Sequence, residues 1–240
     1  MNIIKFNNSI LKYDGKWLNS DVTPTPPHPD YNPLNLPPNT FRVRTSDGNI
    51  PYRTTYTNYE TATLVSGTTD VYDVYQSGTS LYKMLYGSKN IAEVLGANTS
   101  NITNMNDMFA GCISLETVPL FDTSSVTDMG RMFQGCYILT SVPLFDTHNV
   151  TDMSEMFGTN NRTTTELTSV PLFDTSSVTN MNYMFLNCRN VQSGALALYQ
   201  QISSRPNPLA YQYHTGTFRN CGINTVNGAA ELEQISDMWK

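Results

Sequence analysis

Apolar positions in this chain recur with a long period. Met-x-x-Met-Phe occurs at Met105, Met108 and Phe109, at Met129, Met132 and Phe133, at Met153, Met156 and Phe157, and at Met181, Met184 and Phe185, in steps of 24, 24 and 28 residues. The surrounding phrase is Val-Thr-Asp-Met-x-x-Met-Phe-x-Gly-Cys-x-x-Leu-x-x-Val-Pro-Leu-Phe-Asp-Thr, with small variations. Val-Pro-Leu-Phe-Asp-Thr recurs intact at 118–123, 142–147 and 170–175, so the longer step reflects an insertion near 160–166, which maps to a loop. Stepping back 24 residues gives a degenerate earlier copy at Gly78, Met84, Leu85 and Ile91. Phe218-Arg219-Asn220-Cys221-Gly222 echoes Phe185-Leu186-Asn187-Cys188 and predicts an altered closing copy.

Within a unit, Met129, Met132 and Phe133 stand at i, i+3 and i+4, the spacing that places three apolar side chains on one helical face. With Ser125 as N-cap, Asp128 in capping-box order and Gly135 as a stop signal, the pattern predicts a short helix. Val118-Pro119-Leu120-Phe121 then predicts a short extended segment, whose proline removes one backbone donor. A single unit cannot bury its apolar face, so neighbours must stack with equivalent residues in register, about 4.8 Å apart in a parallel arrangement.

This phrase resembles the BspA-like leucine-rich repeat family, the mycoplasma surface-lipoprotein type, over roughly 78–191. The resemblance implies an α/β fold, a leucine-rich-repeat solenoid with a short helix and a short strand per unit of about 24 residues, preceded by an N-terminal β region. It also implies surface-exposed binding or adhesion proteins, and it brings no catalytic residues. The expected repeat core comprises the methionines and phenylalanines named above together with Cys112, Cys136 and Cys188.

Outside the repeat, Ile3-Ile4-Lys5-Phe6 and Ile10-Leu11-Lys12-Tyr13 flank Asn7-Asn8, and Asp14-Gly15 precedes Trp17. This predicts a β-hairpin with a following turn over 1–20. A hairpin of that size is marginal alone, so Ile3, Ile4, Phe6, Ile10, Leu11, Tyr13 and Trp17 are candidate anchor residues that dock on a partner or on further copies. Prolines crowd 21–38 and predict a semi-rigid spacer. Strand patterns in 39–77, such as Phe41-Arg42-Val43-Arg44 and Val71-Tyr72-Asp73-Val74-Tyr75, predict a small β subdomain capping the solenoid, and 192–240 form a C-terminal cap.

Composition narrows the function. Thirty Thr, 25 Asn and 20 Ser against only 14% charged residues make a neutral, hydroxyl- and amide-rich surface, and the net charge of −6 argues against a nucleic-acid partner. No apolar run is long enough to span a membrane. The N-terminus lacks a charged start, an apolar core and a small-residue cleavage site, which predicts export as part of an assembly.

The cysteines lack the close pairs of a zinc site and are expected to be small buried hydrophobes, with Asn160 interrupting their column. Asp122, Asp146 and Asp174 form one acidic column, and Asp128, Asp152 and Asn180 another. Stacked carboxylates could bind calcium, but capping of local turns is favoured because Asn104 and Asn180 suit that role equally well. His28, His148 and His214 are scattered and suggest no catalytic set, and no carboxylate pair nominates itself for glycan hydrolysis. No cofactor or metal is expected. Tyr52, Tyr56, Tyr59, Tyr72, Tyr75, Tyr82 and Tyr86 crowd into 35 residues, suited either to a binding face or to cross-strand packing.

These readings combine into a non-enzymatic bacteriophage virion protein of the head- or tail-fibre type. Its N-terminal hairpin would dock on other virion proteins, its head would meet a host surface protein or glycan, and it would self-associate. The alternative is a bacterial cell-surface adhesion protein.

Overall fold

A computed structural model describes residues 4–6, 9–13, 16–17, 34–159 and 163–240. Most of the Pro-rich spacer, and Asn160 in the insertion, lie outside the described residues. At the N-terminus, β1 (Ile4–Phe6), β2 (Ser9–Tyr13) and β3 (Lys16–Trp17) form an antiparallel three-stranded sheet in that order. Ile3 is not described.

A second antiparallel sheet contains β4 (Thr40–Thr45), β5 (Thr61–Leu64), β6 (Val71–Tyr75) and β7 (Ile91–Ala97), ordered β5-β6-β4-β7. Its strands are rich in Val, Thr, Tyr and Phe, and the inward residues Phe41, Val43 and Val74 are fully buried. On the more open face Arg42 makes a two-point ion pair with Asp73 on the neighbouring strand.

The expected helix-and-strand solenoid is overturned. Between 78 and 191 no described residue is in an α-helix, and β7 is the one strand there. Beyond the N-terminal three-stranded sheet, the regular structure of the described residues is the four-stranded sheet, two short helices after the repeats, α1 (Ala195–Ser203) and α2 (Val226–Gln234), and 3-10 turns at Tyr211–Tyr213 and Asp237–Trp239.

Where a helix was expected, the chain makes two consecutive four-residue turns. Met108 N–H donates to the Met105 carbonyl and Cys112 N–H to that of Phe109, while Met132 and Cys136 repeat the pattern on Met129 and Phe133. The third residue of each turn has positive φ. Asp107, Arg131, Glu155 and Tyr183 hold φ of 54–57°, and Gly111 and Gly135 hold 75° and 69°, as a type II turn requires at that place.

The alternate N–H groups leave the turn altogether. Those of Met105, Asp107, Phe109 and Gly111 donate to the carbonyls of Asp128, Gly130, Met132 and Gln134 in the next unit, at 2.8–2.9 Å. A backbone that gives every second donor to its neighbour cannot keep helical i→i−4 bonds. The segment Val-Pro-Leu-Phe forms no strand, because Pro119, Pro143 and Pro171 remove donors and only isolated parallel bridges such as Glu93 to Thr117 and Ser169 to Ser193 join these arms. One of them makes β7 the junction, paired antiparallel with β4 on one edge and bridged in parallel to Thr117 on the other.

Equivalent side chains nonetheless lie in register. Phe109, Phe133, Phe157, Phe185 and Phe218 form one column with neighbouring centroids 5.3–5.9 Å apart and rings within 13° of parallel. Phe121, Phe145 and Phe173 form a second column beside it. Phe41 of β4 meets Phe109 and Phe121 edge-on, at 6.2 and 5.5 Å, and so continues the sheet core into the stack. At the far end Trp239 lies 6.3 Å from Phe218 and stacks on His214 at 3.9 Å.

Helix α1 follows Gly194, where φ is 97° and an added Cβ would lie 2.4 Å from the Val170 carbonyl oxygen. It buries Ala195, Leu198 and Ile202. The Glu231 carboxylate of α2 accepts from the N–H groups of Gly194 and Leu196 and so caps its start.

Candidate ligand-binding face

The repeated residues serve packing. Met105, Met108, Met129, Met132, Met153, Met156, Met181 and Met184 are fully buried, as are the phenylalanines of both columns. All four cysteines are free and buried. Cys112 Sγ lies 3.1 Å from the Leu85 carbonyl oxygen of the preceding unit and Cys136 Sγ 3.2 Å from that of Phe109, so each thiol donates backward along the stack. Burial pushes the Cys112 and Cys188 thiols up to about 12 and raises Cys136 and Cys221 as well.

Both acidic columns hold local turns. Asp128 Oδ1 accepts from Gly130 N–H, Asp152 Oδ1 from Ser154 N–H and Asn180 Oδ1 from Asn182 N–H. Asp122, Asp146 and Asp174 accept in the same way from Ser124, His148 and Ser176. Among the described residues no cluster of His, Cys, Asp and Glu could hold a metal ion, and no helix is long and apolar enough to cross a membrane. His148 pairs with Asp146 at 2.7 Å, whereas His214 is buried against Trp239 and its burial lowers its pKa. The two are not brought together. Of the N-terminal anchor candidates, Ile4, Phe6, Ile10, Leu11, Tyr13 and Trp17 fall on β1–β3.

The tyrosine cluster divides. Tyr59 is buried and donates from its hydroxyl to the Pro51 carbonyl, while Tyr72 and Tyr75 pair across strands of the sheet. Tyr52, Tyr56 and Tyr82 are 54%, 60% and 41% exposed. Lys83 Nζ sits 5.2, 5.0 and 5.2 Å from the ring centroids of Tyr56, Tyr82 and Tyr86. A hydrogen bond with the Tyr82 phenol raises the Lys83 pKa, so the ammonium is held charged among the rings.

A single irregular loop, residues 51–59, fixes this face. It occupies the place of one further unit below the first turn pair. Tyr59 N–H donates to the Met84 carbonyl and Asn58 N–H to that of Lys83. The Thr57 hydroxyl donates to the Tyr86 carbonyl and the Ser88 hydroxyl to that of Tyr52, both at 2.7 Å. Ser88 thus repeats the backward donation that cysteine makes higher in the stack. Gly87 is required here, since its φ is 68° and an added Cβ would fall 2.7 Å from Thr54 Cγ2.

The other side of the loop forms a groove of about 610 Å³ lined by Ser46, Asp47, Asn49, Ile50, Pro51, Tyr52, Arg53, Tyr59, Lys89 and Asn90. The Asn90 side chain braces it, donating to Asp47, Asn49 and Ile50 and accepting from Tyr52 N–H. Arg53 lies over the Tyr59 ring at 4.5 Å. Hydrogen bonds from Asn90 and Asn49 hold the Asp47 carboxyl below its ordinary value. The cations of the groove carry no repeat signal, and composition alone gave no sign of them.

Comparison with curated proteins and with solved structures gave no match to the chain. The family described as "Mycoplasma protein of unknown function, DUF285" matches residues 79–198, half of the chain, and covers the stacked turns from the first pair to that of Phe185 together with the first turn of α1. The chain therefore belongs to the DUF285 family of Mycoplasma proteins of unknown function, which is related to the BspA-like repeats that its sequence resembles.

Proposed function

We propose that the protein is a non-enzymatic binding protein of a surface assembly, and that it meets its target through the tyrosine–cation face at the sheet end of the stack. The observation that carries this reading is the pair Tyr56 and Tyr82, exposed around Lys83, with Tyr52 exposed on the same 51–59 loop, while the phenylalanines of the repeat are buried. Large, stiff aromatic side chains held by a fixed loop contribute contact area at little entropic cost. The stacked core supports the reading as a rigid scaffold, since its methionine, phenylalanine and cysteine positions are committed to packing.

The narrower proposal is a bacteriophage virion accessory protein of the head- or tail-fibre type, with the N-terminal sheet docking on other virion proteins or on further copies. A bacterial surface adhesion protein is the second reading, favoured by the match to a family of Mycoplasma proteins. Binding of the fluorescently labelled protein to intact bacterial cells tests the shared part. The Tyr56→Ala/Tyr82→Ala variant should lose about tenfold or more in affinity, as truncated aromatic anchors do. Unchanged binding by a folded variant would refute the face. Mass spectrometry of purified phage particles and of cell envelopes separates the two settings, because the protein should be found in one fraction only.

A further inference from the structure

We infer that the groove beneath the 51–59 loop is a binding site for an acidic saccharide unit, a sugar ring bearing a carboxylate. This inference rests on the surface-binding reading and names the ligand class that the face would take. The cavity of about 610 Å³ falls in the size range of small-ligand sites, roughly 300–1,000 Å³.

Its chemistry is uneven in a useful way. Arg53 Cζ lies over the Tyr59 ring, 4.5 Å from its centroid, and that ring is fixed by burial and by its hydroxyl bond to Pro51. The guanidinium therefore rests on a rigid floor with its outer side open to solvent, and its planar fork suits two-point recognition of a carboxylate. Lys89 lines the same groove, and among the described residues no carboxylate forms an ion pair with either cation. In a chain of net charge −6, two cations left unpaired in one concavity mark a place for an anion.

The remaining walls select the kind of anion. Asp47 stays ionised, with Asn49 N–H and the Asn90 amide both donating to Oδ1, and its carboxylate lines the groove as an acceptor for hydroxyl donors. A doubly charged phosphate concentrates its charge against that carboxylate, whereas a sugar acid carries a single charge on each ring and brings hydroxyls that the carboxylate can accept from. Tyr52 and Ile50, each about half exposed, offer an apolar platform to the C–H face of a pyranose ring. Asn90 binds Asp47, Asn49, Ile50 and Tyr52 at once, so the walls are already in place without ligand.

The test uses the full chain, titrated by calorimetry with galacturonate and glucuronate trisaccharides, with their methyl esters as uncharged matches, and with inorganic phosphate. At least one acid should bind about tenfold more tightly than its ester, because the ester removes the charge that the fork recognises. Arg53→Ala and Lys89→Ala should each remove that preference while the unfolding midpoint stays in place, and Tyr52→Ala should weaken acid and ester alike. The inference is overturned if no trisaccharide binds, if ester and acid bind equally, if phosphate binds as tightly as the better acid, or if Arg53→Ala keeps the preference. Cell binding that persists without saccharide binding would overturn this assignment alone. Saccharide binding by a protein that binds no cells would overturn the surface reading alone.

Discussion

Arg131 distinguishes a turn from a helix by the sign of one substitution. It sits in the middle of the segment where the methionine spacing predicts a helix, yet its φ is +56° and it is the third residue of the turn closed by Met132 N–H on Met129. Replacing it by alanine or by glycine removes the same side chain and the same half-exposed pair with Glu155, worth at most about 1 kcal/mol. The difference between the two variants therefore isolates the backbone. A left-handed conformation costs a residue with a Cβ about 1–2 kcal/mol, while the extra freedom of glycine in the unfolded chain costs about 0.5–1 kcal/mol. Glycine should thus be the more stable by about 0.5–1 kcal/mol. In a helix interior the order reverses, with glycine about 1 kcal/mol worse. Urea denaturation of Arg131→Gly and Arg131→Ala, compared by midpoint at constant slope, decides the matter. Glu155→Gly against Glu155→Ala should repeat the order, since Glu155 has φ of +54° in the next unit. A midpoint for Arg131→Ala above that of Arg131→Gly would refute the turn argument.

Three further outcomes follow from the core. Phe133→Ala should destabilise by about 3–5 kcal/mol, because the ring is buried between Phe109 and Phe157, and fluorescence and near-UV dichroism should still report one shared transition. The pKa of His214 is lowered from 6.5 by burial, so below that pH the unfolded chain takes up a proton that the folded chain resists. Stability should fall as pH drops from 6.5 toward the depressed folded value, and His214→Phe should flatten that part of the curve. Ellman's reagent should leave all four thiols untouched in the folded protein and titrate them in denaturant, since burial raises every one of their pKa values.

Register was legible because identity at a fixed period dictates which residues meet, and the phenylalanine columns follow from that alone. Local conformation was not, because the i, i+3, i+4 spacing of Met129, Met132 and Phe133 fits two joined turns as well as one helical face. The discriminating signal stood at the third place of the second turn, where Gly111, Gly135, Asn187 and Asn220 all take positive φ. Read as a helix stop, Gly135 concealed its recurrence. Asp128 looked like part of a capping box, but its carboxylate accepts from Gly130 two residues on and closes a turn of its own. The tyrosines were visible as candidates. Which of them face outward depends on bonds from 51–59 to Lys83, Met84, Tyr86 and Ser88, which span 25 to 36 residues and leave no periodic trace.

The same accounting of backbone bonds explains why a binding face belongs at the end of the stack. Phe157 and Phe185 stay 5.3 Å apart across a 28-residue step, and Phe185 and Phe218 stay 5.9 Å apart across 33 residues that include α1. Insertions are absorbed by the connecting chain, while the turn pairs keep their N–H to carbonyl ladder; Phe157 N–H still reaches Met184 and Phe185 N–H still reaches Thr217. A middle unit is bound on both sides and can change little without breaking two ladders. At the sheet end the groups of Lys83, Met84 and Tyr86 need only some partner with matching donors, and an irregular loop supplies it. That loop owes nothing to the repeat, so its outer side is free to carry Tyr52, Arg53 and Tyr56, residues that no unit within the stack could hold in the same positions.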